Sequence, residues 1–293
     1  MPQLVSVNPL KLALWTFRRS PRDIIDLYNT LSPVMQLATG GKMLNLGFWS
    51  DGIADPIAAQ SRLCSIVGDD ADLSSAATLI DVGSGLGAPA RQWKSTHELL
   101  EISCVNINQE QLRSARGGNA NSAEHQKGVS PVNATSVALP FSDHSADRIV
   151  ALESAQHFRP LAGFVNECRR VLKPNGLLVV AMPVTVGRLG GVEALFKLGI
   201  LWFTWSSEHY SLEHVKTAIA EGGFDVRNIA LIGHHVYEPL TEYYFRNRMV
   251  IRQRITKEYP SFVENVLYKS LTKMAETSRK GIIDYAVIKA QRL

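Results

Sequence analysis

The sequence predicts an α/β fold, a mostly parallel sheet of seven strands with helices on both faces. Three observations predict it. From Ala77 to Met182, short apolar runs of strand length alternate with helical patterns, the rhythm of βαβ units. A glycine-rich turn, Gly83-Ser84-Gly85-Leu86-Gly87-Ala88, joins the first such run to the first such helix. The chain has 293 residues, 45% hydrophobic and 20% charged, enough for a large core that needs no disulfide or metal staple.

Each element has its own warrant. Ser20-Pro21 opens a helix to about Ala38, since a serine cap followed by proline at the first helical position is an entry signal, and Gly40-Gly41 ends it. Met43–Trp49 (MLNLGFW) is apolar and aromatic, Ser50-Asp51-Gly52 turns, and Pro56–Val67 is helical again. Thr78–Val82 (TLIDV) is a short buried strand that runs into the glycine turn, and a helix of about ten residues follows. Strands at Ile102–Ile107, Gly128–Val132, Asp147–Leu152 and Leu177–Met182 come next, with helices at Gln109–Arg116 and Leu161–Val171. After the fifth strand the rhythm breaks. Gly187–Ser207 reads as an irregular cover containing the apolar run FKLGILWFTW. Leu212–Glu221 is helical and stops at Gly222-Gly223. Asp225–Ile232 and Ile282–Lys289 are the sixth and seventh strands, with a long helical insertion between them. The chain reads as one domain over 1–293. Within it are a helical and aromatic cap at 1–55, a core at 77–185, and cap insertions at 186–222 and 238–280.

Composition narrows the function classes. Cys64, Cys104 and Cys168 are far apart and never form a C-x-x-C pair, which argues against a disulfide scaffold or zinc cluster and for thiols in a cytosol. No apolar run reaches the roughly 18 residues of a membrane span, and no basic leader with an apolar stretch suggests secretion. The net charge is +4, with basic runs at Lys11, Arg18, Arg19 and Arg22 and at Arg246, Arg248, Arg252, Arg254 and Lys257. Such runs suit nucleic acid, an anionic lipid surface, an acidic substrate or a solvated helix face. No RNA-recognition or helix-turn-helix signature accompanies them, so nucleic acid is not expected. Residues 10–19, with FKLGILWFTW, are candidates for touching a membrane surface or a second subunit.

The glycine turn carries the chemistry. Glycines let the backbone bend sharply and approach a ligand, and the following helix offers free N–H groups. Gly83, Gly85 and Ala88 also satisfy a dinucleotide fingerprint, which keeps a nicotinamide oxidoreductase open as an alternative. Asp81 disfavours it, because an anionic side chain there serves a pyrophosphate poorly. The pattern D-x-G-x-G-x-G from Asp81 to Gly87 resembles motif I of class I S-adenosylmethionine-dependent methyltransferases. Leu139–Asp147 (LPFSDHSAD), Ala151–Phe158 (ALESAQHF) and Glu167–Ala181 (ECRRVLKPNGLLVVA) resemble the later motifs in order, and Asp284–Arg292 is similar to the last strand. The resemblance implies a Rossmann-like sheet whose last strand is antiparallel and a site for S-adenosyl-L-methionine.

A further resemblance points within that superfamily. Tyr28 in DLYNTLSP and Leu44–Trp49 (LNLGFW) are similar to the aromatic N-terminal segment of a small-molecule branch. That branch includes sugar O-methyltransferases of indolocarbazole biosynthesis and the ubiquinone and tocopherol methyltransferases. It implies that Tyr28, Phe48 and Trp49 close the cofactor pocket; plain core packing is the alternative. Two positions depart from the family pattern. The acid that holds the ribose hydroxyls is replaced at the end of strand two (VNIN), so Asn106, with Asn108 or Gln109, takes its place. The acid paired with the adenine amine appears as Thr135, beside Ser136, and Leu152 completes the cofactor set.

Methyl transfer is an in-line displacement in which alignment does most of the work. His157 stands where similar enzymes carry a base facing the methyl group, and Glu153 is placed to orient it or to bind the cofactor's amine through its backbone. A purely structural histidine is the alternative. The strand-five acid of the family is Met182 here, followed by Pro183, which with Trp202 and Trp205 suggests an apolar acceptor pocket, a mobile apolar lid or a core-facing helix. His209, Tyr210, His234, His235 and Tyr237 are candidates for polar contacts with the acceptor, and their spacing matches no metal site. The expected activity is methylation of an O or C nucleophile on a small, largely apolar acceptor. RNA or protein methylation on the basic surface is the runner-up, and a non-catalytic scaffold stays open. A homodimer is compatible with the composition.

Overall fold

The computed structural model describes residues 5, 20–50, 52–115, 128–187, 189–204 and 208–293. In chain order the elements are α1 (Pro21–Thr39), α2 (Pro56–Asp70), β1 (Thr78–Val82), α3 (Ala88–Thr96), β2 (Glu101–Asn106), α4 (Gln109–Ala115), β3 (Val129–Asn133), β4 (Ala146–Leu152), α5 (Leu161–Val171) and β5 (Leu172–Thr185). There follow α6 (Gly191–Leu198), α7 (Ile200–Thr204), α8 (Leu212–Glu221), β6 (Phe224–Leu231), α9 (Tyr237–Glu258), α10 (Ser261–Arg279) and β7 (Ile283–Arg292). In their described parts these form two compact units. One comprises Ser61–Val184, Glu208–Leu231 and Tyr285–Leu293; the other comprises Met1–Gln60, Thr185–Ser207 and Ile232–Asp284.

The first unit holds the sheet. Its seven strands run in the order β3-β2-β1-β4-β5-β7-β6. The pairs among β1 to β4 and between β4 and β5 are parallel, while β7 runs antiparallel to β6. The chain moves outward from β1 through β2 to β3, then returns to lay β4 on the other side of β1. That reversal makes a switch point between β1 and β4, and ligands of open α/β sheets bind at the strand ends beside such a point.

Strand periodicity decides what each face buries. Ile80 and Val82 of β1, Ile149 and Ala151 of β4, and Leu178, Val180 and Met182 of β5 alternate along their strands and share one apolar cluster. Leu161, Phe164, Val165, Cys168 and Val171 recur at helical spacing on α5 and join it. The opposite face carries Leu79 and Asp81. Trp93 of α3 ties the helices of the sheet unit together, its Nε1 donating to the Cys64 carbonyl at 2.8 Å.

The family-like segments around residues 139–181 are bound to one another. Glu167 Oε2 accepts from the Leu139 amide at 2.7 Å, and Arg170 donates to the carbonyls of Phe141 and Leu139 and to Asp143. Asp147 accepts from the amides of Ala77 and Thr78 and from Lys173 Nζ, so one carboxylate pins the starts of β1, β4 and β5. Burial pushes its pKa up, but Lys173 and Thr78 prevail and hold it at about 2.

Strand five departs from expectation. It starts at Leu172 rather than Leu177, because Leu172 already pairs with Ala146 and the ladder resumes at Arg148 with Leu177. The intervening Lys173-Pro174-Asn175-Gly176 reads locally as a turn but is absorbed as an irregularity in the ladder.

The second unit is mainly helical. The α1 entry is a capping box: Ser20 Oγ accepts from the Asp23 amide and Asp23 Oδ2 from the Ser20 amide, while Gly40 closes the helix at φ +76°. The aromatic segment after it is locked to the start of α2. Gln60 Nε2 donates to the carbonyls of Met43 and Asn45 at 3.0 and 2.8 Å. Gly47 has φ +82°, and a Cβ there would meet the Ala59 Cβ at 2.7 Å. Helix α9 packs along α10 and against α1.

One expectation for this unit is corrected and another refined. The span 187–207 is not irregular in its described part but forms α6 and α7, with Ala194, Leu198 and Leu201 buried and Phe196 80% exposed. The basic run of α9 is largely a solvated face, with Arg246, Arg252, Arg254 and Lys257 exposed, and part of it is also engaged by acids. Arg248 Nε and Arg252 Nη1 bond Glu264 of α10 at 2.8 and 3.2 Å; its side chain is fully buried and also accepts from Tyr244. Arg246 pairs with Glu242. Among the described residues no helix is long and apolar enough to cross a membrane.

Candidate active site

The sheet unit brings the predicted chemistry to the ends of β1, β2 and β4. After β1 the chain turns through Gly83, Gly85 and Gly87 at φ +81°, +54° and +68°, conformations that side chains other than glycine adopt at a cost. The amides of Gly83 and Ser84 both donate to the Val105 carbonyl of β2, at 2.8 and 3.1 Å. Gly83 is also where the segment after β4 presses closest: a Cβ on it would lie 2.2 Å from the Ser154 Cβ. Ser154 Oγ in turn donates to the Val82 carbonyl at 2.6 Å. Gly87 caps α3, whose first turn points its amides into the loop.

Asp81 lies under this loop. It is 2% exposed, its Oδ2 has no hydrogen-bond partner among the described residues, and burial pushes its pKa up to about 7. Its charge is felt by Cys64 and Cys104, whose thiols burial holds well above the ordinary range, with Asp81 adding to the effect. An unpartnered carboxylate oxygen beneath glycine-only backbone fits a ligand that brings its own donors or positive charge.

The end of β2 is a network of amides. Asn106 is 7% exposed, and its Nδ2 donates to the Gly85 carbonyl at 3.1 Å and to Gln111 Oε1 at 2.9 Å. Its Oδ1 accepts from the Asn108 amide. Asn108 Oδ1 takes the amides of Glu110 and Gln111 and so caps α4. Asn133 Nδ2 reaches across from β3 to the carbonyls of Asn106 and Ile107. Asn106 and Asn108, expected to hold ribose, thus turn toward their own backbone, and Gln109 is exposed on the first turn of α4. Thr135 and Ser136 stand half-buried on the loop after β3.

Beyond Leu152, at the end of β4, Glu153 adopts φ +52° and its Oε1 accepts from the hydroxyl of Tyr285 at 3.1 Å. Tyr285 is completely buried on β7. His157 closes a 3-10 turn, Ala155–His157, with its amide on the Ser154 carbonyl at 3.0 Å. Gln156 Nε2 donates to the Glu153 carbonyl at 2.8 Å and stands 3.4 Å from His157 Nε2. Ser154 therefore joins the end of β1 to the turn that carries the half-buried His157, bonding the Val82 carbonyl with its hydroxyl and the His157 amide with its carbonyl.

The acceptor candidates divide. Met182 has no exposed surface and packs inside the apolar cluster instead of lining an open wall. Tyr210 donates to the Phe158 carbonyl at 2.7 Å and stacks on His214, and His209 precedes it at φ +49°. In the helical unit Tyr237 is fully buried and donates to the Asp284 carbonyl, while His234 is exposed with its ring 4.0 Å from that of His235. Trp202 is half-buried on α7, and Trp205 lies outside the described residues, as do residues 10–19. Tyr28 is half-buried on α1. Phe48 packs its ring on His235 at 4.6 Å, and Trp49 is 5% exposed with its Nε1 donating to the Leu46 carbonyl at 3.1 Å. The roles of Ser154, Gln111, Asn133 and Tyr285 are not evident from sequence, because each depends on a partner on another strand or loop.

Comparison with known proteins agrees with this geometry. A family model described as a methyltransferase domain matches residues 80–180. Erythromycin 3''-O-methyltransferase of Saccharopolyspora erythraea is 26% identical over 307 residues, covering 98% of this chain and 95% of that protein. Methyltransferase GfsG of Streptomyces halstedii is 31% identical over 196 residues, covering 66% of this chain and 68% of that protein. The cyclopropane synthase MmaA2 of Mycobacterium tuberculosis shares the fold, with a TM-score of 0.78 at 16% identity over 93% of this chain and 98% of that one. A glycine turn at the switch point, a buried acid beneath it and these relatives lead to one assignment. The chain belongs to the class I S-adenosylmethionine-dependent methyltransferases, in the branch that acts on small molecules.

Proposed function

We propose that this enzyme methylates an oxygen, or less readily a carbon, of a small and largely apolar natural product, with His157 as the base. The observation that carries this reading is the place of His157 on the turn just past β4, in a segment whose Ser154 packs closely on Gly83 and bonds the Val82 carbonyl at the end of β1. It is supported by the relative matched along 98% of the chain, which is named for O-methylation of erythromycin. S-adenosyl-L-methionine supplies an electrophilic methyl group on a positively charged sulfur. In this reading the backbone around Gly85 and the start of α3 border its polar end, and Asp81 answers the positive charge. Thr135, Ser136 and Leu152 lie at the adenosine end. A hydroxyl acceptor must lose a proton, and an imidazole with an ordinary pKa of about 6.5 is suited to accept it. Glu153, held by Tyr285, orients the segment that carries His157.

The finer parts of the reading are a cytosolic enzyme that touches a membrane surface or a second copy through side chains such as Phe196. Liposome co-sedimentation and solution mass test these. The activity is tested by incubating the purified chain with isotopically labelled methyl donor and a panel of hydroxylated natural products, read by mass spectrometry. Binding of neither S-adenosylmethionine nor S-adenosylhomocysteine in calorimetry would overturn the reading. RNA methylation finds little support, because Arg246, Arg248 and Arg252 are paired with acids.

A further inference from the structure

The geometry points to Asn106 as a positioning residue that clamps the glycine loop, a task that the carboxylate usual at this place cannot perform; the inference rests on the cofactor-site reading above. Its amide nitrogen is committed to two acceptors, the Gly85 carbonyl at 3.1 Å and Gln111 Oε1 at 2.9 Å. Its oxygen takes the Asn108 amide at 3.1 Å, and the side chain is 7% exposed. Each of these bonds is internal to the loop and the turn into α4. Gly85 is the middle of the three positive-φ glycines, so a bond to its carbonyl fixes the part of the loop with the widest backbone freedom.

A carboxylate in the same place has no hydrogen to give. It would set one negatively charged oxygen, in place of Nδ2, against both the Gly85 carbonyl and the Gln111 oxygen, while its other oxygen kept the Asn108 amide. Gln111 can turn its amide to offer a donor, but the backbone carbonyl of Gly85 cannot. The residue is therefore an amide because the loop needs a donor. The neighbouring Asn133 reinforces the arrangement by holding the Asn106 and Ile107 carbonyls from β3.

Asn106→Asp separates the clamp from ribose binding, because the two roles predict opposite signs. In the ligand-free protein, hydrogen–deuterium exchange of the peptide spanning Gly83–Gly87 should quicken about five- to tenfold, the size of one lost neutral hydrogen bond. Peptides from β4 and β5 should be unchanged. Calorimetry with S-adenosylhomocysteine should show affinity weakened by about the same factor. Tighter binding in Asn106→Asp, or unchanged loop exchange in both it and Asn106→Ala, overturns the clamp. Asn106→Ala guards against a folding artefact, since it removes the donor without adding charge and should also quicken loop exchange. The exchange arm needs no cofactor. If the wild-type chain bound no S-adenosylhomocysteine, the cofactor reading would fail while the clamp would still be decided.

Discussion

Replacing Asp81 by asparagine should make the ligand-free protein more stable at alkaline pH while weakening the cofactor. Burial raises this carboxyl from 3.8 to about 7. The folded state thus holds the proton more tightly than the unfolded chain. The contribution of this group to stability is highest below pH 3.8, declines as pH rises from there to about 7, and carries the full cost above that. At about 1.4 kcal/mol per pH unit, the rise amounts to about 4 kcal/mol. The Asp81→Asn substitution removes the ionisation but leaves a buried amide without a partner, which costs about 1 to 3 kcal/mol. The net expectation at pH 8 is a gain of about 1 to 3 kcal/mol in Asp81→Asn. Urea unfolding of both proteins at half-unit steps from about pH 4.5 to 8 measures this. Subtracting one curve from the other removes Asp147, Glu167 and the other carboxylates, which both proteins share. The difference should grow with pH and level off near 7. A flat difference would refute the reasoning, as would a loss of stability at pH 8. In the same variant, affinity for S-adenosylhomocysteine should fall, because the charge that strains the empty fold is the one offered to the ligand.

Other perturbations have equally definite outcomes. Gly83→Ala combines a positive φ with a Cβ placed 2.2 Å from the Ser154 Cβ, so a loss of about 3 kcal/mol or more is expected in denaturant unfolding, and an unchanged midpoint would count against the close approach. His157→Gln should lower the turnover of a hydroxyl acceptor about a hundredfold or more while S-adenosylhomocysteine binds as before; equal turnover removes the base from the mechanism. Glu264→Ala leaves Tyr244, Arg248 and Arg252 without their buried partner. The arginines are partly exposed, so a cost of about 2 to 3 kcal/mol is expected, read from the urea midpoint.

Local periodicity and turn chemistry carry through tertiary packing where they agree with it. β1 spans Thr78–Val82, α5 spans Leu161–Val171 and α8 spans Leu212–Glu221, as the patterns require. The glycine loop is legible for the same reason, because three positive-φ positions in five residues leave glycine as the cheapest choice. The start of β5 is not legible, because Lys173-Pro174-Asn175-Gly176 carries every local sign of a turn. Only pairing of Leu172 with Ala146 makes it strand. Glu264 illustrates the same limit: an acid on a helix reads as solvated until two arginines and a tyrosine from the neighbouring helix surround it.

The sequence by itself determined the order of strands and helices along the chain, the position of the glycine loop and the family, since these follow from spacing within short windows. Tertiary structure alone decided what the site side chains touch. Which groups Asn106 bonds, whether Asp81 is solvated, and what holds Glu153 all depend on atoms contributed by distant segments. A hydrogen bond is set by the last ångström of approach between such segments, and no pattern along a single strand or helix encodes that distance.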